Sequence, residues 1–238
     1  MRSWTMLAMV CCLSSVAMAQ SSEQQQACED HSDMDLVIRG CTALIDAGHE
    51  SREHLAVVYN NRGYAWSRKG DATRAIADYD QAIRLDPQSI LALNNRGDAY
   101  SGQGHYDKAI ADFDRVLWID PDYGPALNNR CWVRALRGAL QDALADCTEA
   151  VQQRPDSPAR LDSRGFVYLR LGRPKDAIAD YDRGLEIRPN SATSLYGRGL
   201  AWLKLGEKAK AEADIEAAKR IDPGIAAKFQ SWGVADSR

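Results

Sequence analysis

The sequence is poor in the side chains on which enzymes and metalloproteins depend. Its 238 residues include four histidines. The nearest pair, His49 and His54, stands five residues apart, so on a helix the two splay by about 140°. A zinc-protease signature needs them four apart on one face. There is no Gly-x-Ser-x-Gly elbow and no phosphate-loop lysine. Gly102 and Gly104 form a Gly-x-Gly without the strand a nucleotide site requires. No catalytic residue, metal or cofactor is therefore expected, and the chain is read as a non-enzyme. Neither sign of charge dominates: 30 basic residues against 33 acidic give −3, which leaves no footprint for a nucleic-acid backbone. Long apolar runs are also missing. The stretch from Met6 to Val16 is too short for a bilayer, which needs roughly 20 residues.

That short stretch has a different use. Arg2, the apolar run and the small residues Ala17 and Ala19 make residues 1–19 a secretory signal, cleaved after Ala19 to begin the mature chain at Gln20. A lipoprotein signal would place a small residue before Cys11, and Val10 is there. Export to the periplasm or beyond follows, with no membrane insertion once the signal is removed. Residues 20–32 read as a polar linker.

What the sequence has in abundance is repetition. A unit of 34 residues recurs five times from Ala56 to Ile225 (56–89, 90–123, 124–157, 158–191 and 192–225). Glycine takes the eighth place in Gly63, Gly97, Gly165 and Gly199, with Cys131 in the third unit. It takes the fifteenth place in all five, from Gly70 to Gly206. Pro87, Pro121, Pro155, Pro189 and Pro223 fill the thirty-second. Each unit reads as a helix ended by glycine, then a second helix stopped before proline, and repeats of this length stack as a solenoid.

The solenoid constrains the cysteines. Cys11 and Cys12 leave with the signal, and a residue in one repeat reaches only its own and adjacent repeats. Cys28 is therefore expected to pair with Cys41 and Cys131 with Cys147, in loops of about 15 residues worth roughly 3 kcal/mol each. Gly40-Cys41-Thr42 echoes Asp146-Cys147-Thr148, which supports equivalent placement. The alternative is free buried thiols.

Small residues at places 8, 20 and 27, aromatics at 11 and 24 and proline at 32 resemble the tetratricopeptide repeat family. Ala75, Tyr79 and Ala82, then Tyr100 and Phe113, then Tyr168, Ala177 and Tyr181 carry the resemblance. It spans Ala56 to Ile225. The resemblance implies an all-α, right-handed α-solenoid of five helical hairpins; capping helices are expected at 33–55, with Leu36, Val37, Leu44 and Ile45 apolar, and at 226–238, where the stripe of Ile225, Phe229 and Trp232 would cover the last open face. Cys131 and Cys147 depart from the pattern at places 8 and 24, and Gly184 and Ile215 loosen later units.

In this family the first helices line a concave side. The residues carried onto it are Asn61, Asn95 and Asn129 at place 6, then Tyr64, Trp132 and Phe166 at place 9, with Arg170 deeper. Asparagine amides can pair with a peptide backbone or serve only to start the helix, and the aromatics can receive apolar side chains, with packing around the Cys131–Cys147 staple the alternative for Trp132. The repeated Arg62, Arg96, Arg130, Arg164 and Arg198 read instead as a ladder to the aspartates at place 23. The expectation is a monomeric adaptor that binds a protein or peptide in its groove. The alternative is a structural subunit of an envelope assembly, binding through its convex face or the end caps around Trp232.

Overall fold

The computed structural model describes residues 22–234. The expected signal at 1–19 lies outside the described residues. All regular structure among the described residues is helical: α1 (22–29), α2 (Met34–Ala47), α3 (Arg52–Arg68), α4 (Ala72–Leu85), α5 (Ile90–Gly102), α6 (Tyr106–Ile119), α7 (Gly124–Arg137), α8 (Leu140–Gln153), α9 (Pro158–Arg170), α10 (Pro174–Ile187), α11 (Ala192–Lys204), α12 (Lys208–Ile221) and α13 (Ile225–Ser231). The described residues form two compact units, one ending at Ile119 and the other beginning at Asp120. In the first, α3 pairs with α4 and α5 with α6, while α2 packs on α3 and α4 on α5. In the second, α7/α8, α9/α10 and α11/α12 are the hairpins, followed by α13.

Local chemistry sets these boundaries. The side chains of Asp33, Ser51, Asp71, Ser89 and Ser191 accept amide hydrogen bonds at helix starts, satisfying donors that have no partner inside the helix. Between paired helices the chain reverses through a left-handed residue, as at Gly104 with φ 76°, where any Cβ would be strained. Second helices end where the residue before proline turns extended, as Asp86 does ahead of Pro87 at φ −126° and ψ 95°.

Close approach within a hairpin depends on place 8 facing place 24. A methyl group at Gly97 would lie 2.6 Å from Phe113 Cε1, and one at Gly165 would lie 3.0 Å from Tyr181 Cε1. Phe113, Tyr79 and Tyr181 are almost completely buried. In the third hairpin the same two places carry the disulfide Cys131–Cys147, with Cα atoms 5.4 Å apart.

Two expectations at the N-terminal end need correction. Residues 20–32 are not simply a linker, because 22–29 is helical and packs against α2. Glutamine is a good helix former, and the turn is anchored by Cys28, bonded to Cys41 with Cα atoms 4.7 Å apart. A methyl at Gly40 would sit 2.7 Å from the Cys28 amide nitrogen, so the glycine permits this contact. The cap expected at 33–55 also divides: α2 ends at Ala47 before Gly48, and residues from Arg52 onward belong to α3.

Candidate functional site

The arginine ladder is structural, and it has two rails. Within a repeat, Arg96 Nε and Nη2 donate to Asp112 at 2.9 and 2.6 Å. The same fork joins Arg62 to Asp78, Arg130 to Asp146, Arg164 to Asp180 and Arg198 to Asp214. The other rail runs back one repeat: Arg96 Nη1 donates to Asp80 and Arg198 Nη1 to Asp182, each at 2.6 Å. Arg62 uses Thr42 Oγ1 in that role at 3.1 Å. Burial works against the Arg96 charge, yet Asp112 and Asp80 outweigh it and hold the guanidinium above its ordinary range. Bidentate pairing fixes geometry as well as charge. The place-25 arms have a partner in the next repeat, a relation that the pattern within one repeat does not expose.

In the first unit, the asparagines form a lateral amide chain. Asn95 Nδ2 donates to Asn60 Oδ1 at 3.1 Å, Asn60 Nδ2 to Asn61 Oδ1 at 3.5 Å, and Asn61 Nδ2 to the Cys28 carbonyl at 3.5 Å. Asn61 and Asn95 are therefore already engaged across neighbouring helices, and Asn129 in the second unit is partnered too. Each amide keeps further hydrogen-bonding capacity. Tyr64 meets His31 edge to face, ring centroids 5.6 Å apart. Beside this row, Val57 and Leu91 stand at the same place of consecutive first helices, 50 % and 57 % exposed.

The second unit corrects the sequence reading. Phe166 is 1 % exposed, because α13 folds onto the first-helix face and covers it. Trp132 lies 4.8 Å from Phe166 and 4.9 Å from Trp232 between ring centroids. Phe229 packs on Tyr196 at 4.9 Å and on Phe166 at 6.1 Å. Arg170 donates through Nη1 to the Ala135 carbonyl and lies over the Phe166 ring. Phe166 is thus covered, while Trp132 and Trp232 are each half-buried against the other. The apolar stripe of Ile225, Phe229 and Trp232 marks a buried helix face, but periodicity does not say which surface it will cover.

Asp162, on α9 at the place held by Asn60 and Asn94, accepts from Ser194 Oγ at 2.5 Å. Burial raises its carboxyl from the ordinary 3.8 to about 6, while the Ser194 hydrogen bond opposes the shift. The native state then holds a proton that the unfolded chain has released. Its contribution to stability is complete below about pH 4 and is lost as pH rises through about 6. Asp162→Asn should remove that decline and stabilise the protein at neutral pH by at most about 3 kcal/mol. Urea unfolding of both proteins from pH 4 to 8 checks this, and parallel profiles would contradict it.

His54 Nδ1 pairs with Glu50 Oε2. Among the described residues no group of histidine, cysteine and carboxylates is placed to hold a metal, and no helix is long and apolar enough to cross a membrane.

Family models for tetratricopeptide repeats match residues 63–104, 90–123 and 164–224. No protein of curated function matches the chain. Solved structures with the same fold include a tetratricopeptide repeat protein from Parabacteroides merdae, 18 % identical, covering 90 % of this chain and 88 % of its own with a TM-score of 0.71. TTC0263, a thermophilic TPR protein from Thermus thermophilus, is 19 % identical over 74 % of this chain and 98 % of its own, with a TM-score of 0.62. YrrB, described as a TPR protein with an unusual peptide-binding site, is 21 % identical over 82 % and 98 %, with a TM-score of 0.59. Family models cover 63–123 and 164–224, about half of the sequence, and solved tetratricopeptide repeat proteins share the fold, so the chain belongs to the tetratricopeptide repeat family.

Proposed function

We propose that this protein is an exported, non-enzymatic adaptor that holds a peptide or a segment of a partner protein against the first helices of its first unit. Val57 and Leu91 carry this reading. They are large apolar side chains, half exposed and one repeat apart. On their helices they precede Asn60, Asn61 and Asn95 by three or four residues, the spacing that shares a helix face. Adjacent exposed apolar groups beside unsaturated amides suit an extended segment, whose side chains meet Val57 and Leu91 while its backbone meets the asparagines. Proteins of this family bind protein or peptide partners, and YrrB is described as binding a peptide. Two buried disulfides are compatible with an oxidising compartment, in keeping with the signal read at residues 1–19.

Photocrosslinking from position 91 in cells, followed by mass spectrometry, tests the proposal. A discrete crosslinked partner is expected, and adding Val57→Asp to the same chain should abolish it without lowering the thermal midpoint. Crosslinks that persist unchanged in Val57→Asp would refute the assignment. A structural subunit is the second reading, favoured by Trp118 on α6, which is 77 % exposed on a second helix. Crosslinks from position 118 to one fixed complex, with none from 91, would select it.

A further inference from the structure

We propose that the first-helix face of the second unit is a receptor for short helical protein segments that present two aromatic side chains three residues apart, and that α13 is an exchangeable internal copy of such a ligand. The proposal concerns a different surface from the one assigned above and does not depend on it.

The receptor is assembled from three helices. Trp132 comes from α7, Phe166 from α9 and Tyr196 from α11, and all three contact α13 or its cap. Had α13 simply begun another hairpin, it would rest on α11 and α12. It does touch both, yet Trp232 passes beyond them to Trp132, two repeats back. The helix is anchored by few groups. Ile225 and Phe229 are buried and Trp232 is half-buried, while Ala227, Lys228, Gln230 and Ser231 face solvent. Seven residues are too few for a helix to be stable by its own hydrogen bonds, so its order depends on the aromatic contacts. Its ends suit release, with Pro223-Gly224 ahead of it and Gly233 at φ 80° behind. Segments anchored by aromatic side chains in desolvated pockets are typical of protein recognition. The chemistry of the resident helix therefore defines that of an incoming one: Phe and Trp at i and i+3, with small or polar residues between them.

The experiment uses the full chain and a fluorescein-labelled synthetic peptide with the sequence of residues 222–234. Phe229→Ala combined with Trp232→Ala empties the face while leaving the receptor residues intact. Fluorescence anisotropy should show the peptide binding this variant at least tenfold more tightly than the wild-type chain. A peptide with both aromatics replaced by alanine should bind neither. A variant of native helicity that fails to bind, or binds both peptides alike, overturns the proposal. Should the variant not fold, native-state hydrogen exchange of the wild-type chain decides. The Trp232 amide, bonded to the Lys228 carbonyl at 3.0 Å, should exchange at least a hundredfold faster than the Val167 and Leu169 amides of α9. Equal rates would make α13 a fixed part of the core and end the proposal.

Discussion

Arg96→Ala is expected to destabilise the first unit by about 3–5 kcal/mol, the range for removing one partner of a buried pair. The carboxylate of Asp112, with its side chain 8 % exposed, would lose both hydrogen bonds of the guanidinium fork and remain charged in a poorly solvated place. Asp80, 42 % exposed, would be resolvated and contribute little. The cost therefore belongs to the stranded charge more than to the lost attraction. A second variant separates the two: Arg96→Met with Asp112→Leu removes both charges and should recover most of the loss. Arg96→Lys should fall between, because an ammonium cannot reproduce the bidentate geometry. Chemical denaturation monitored by circular dichroism measures all three. If Arg96→Ala unfolds at the wild-type denaturant concentration, the ladder contributes nothing to stability.

The ladder was legible in the sequence because its intra-repeat spacing is constant. Arginine at place 7 and aspartate at place 23 recur in all five units, and a charged pair repeated at every register serves the repeat. The hairpins were legible for the same reason, from glycine at place 15 and proline at place 32. What escaped were contacts whose partners lie outside one period. Asn95 meets Asn60 at a separation of 35 residues, and nothing in either repeat alone names that partner. The helix at 22–29 was hidden because Ala27 and Cys28 are all the apolar surface it offers, so its order depends on a covalent bond and on the space left by Gly40. For α13 the buried stripe could be read, whereas its destination depends on three aromatic rings contributed by three separate repeats.

Replacing both Cys131 and Cys147 by alanine should cost the second unit about 3–5 kcal/mol, combining loop closure of roughly 3 kcal/mol with a packing deficit. Both cysteines are fully buried and occupy the positions where neighbouring hairpins set glycine against an aromatic ring. In those hairpins a ring at place 24 fills the volume that glycine at place 8 leaves open, as Phe113 does beside Gly97. The disulfide fills the same space covalently. Cys131→Gly with Cys147→Phe should therefore restore much of the stability that the alanine pair loses, and should make the hairpin indifferent to dithiothreitol. The wild-type chain should lose stability on reduction, but less than the alanine variant, because its sulfur atoms still fill the space. A glycine and phenylalanine pair no more stable than the alanine pair would mean that α7 and α8 approach one another differently from the other hairpins. The consequence would reach the second unit's aromatic face, since Cys131 fixes the α7 backbone one residue before Trp132, and any loosening there shifts the ring against which Trp232 rests.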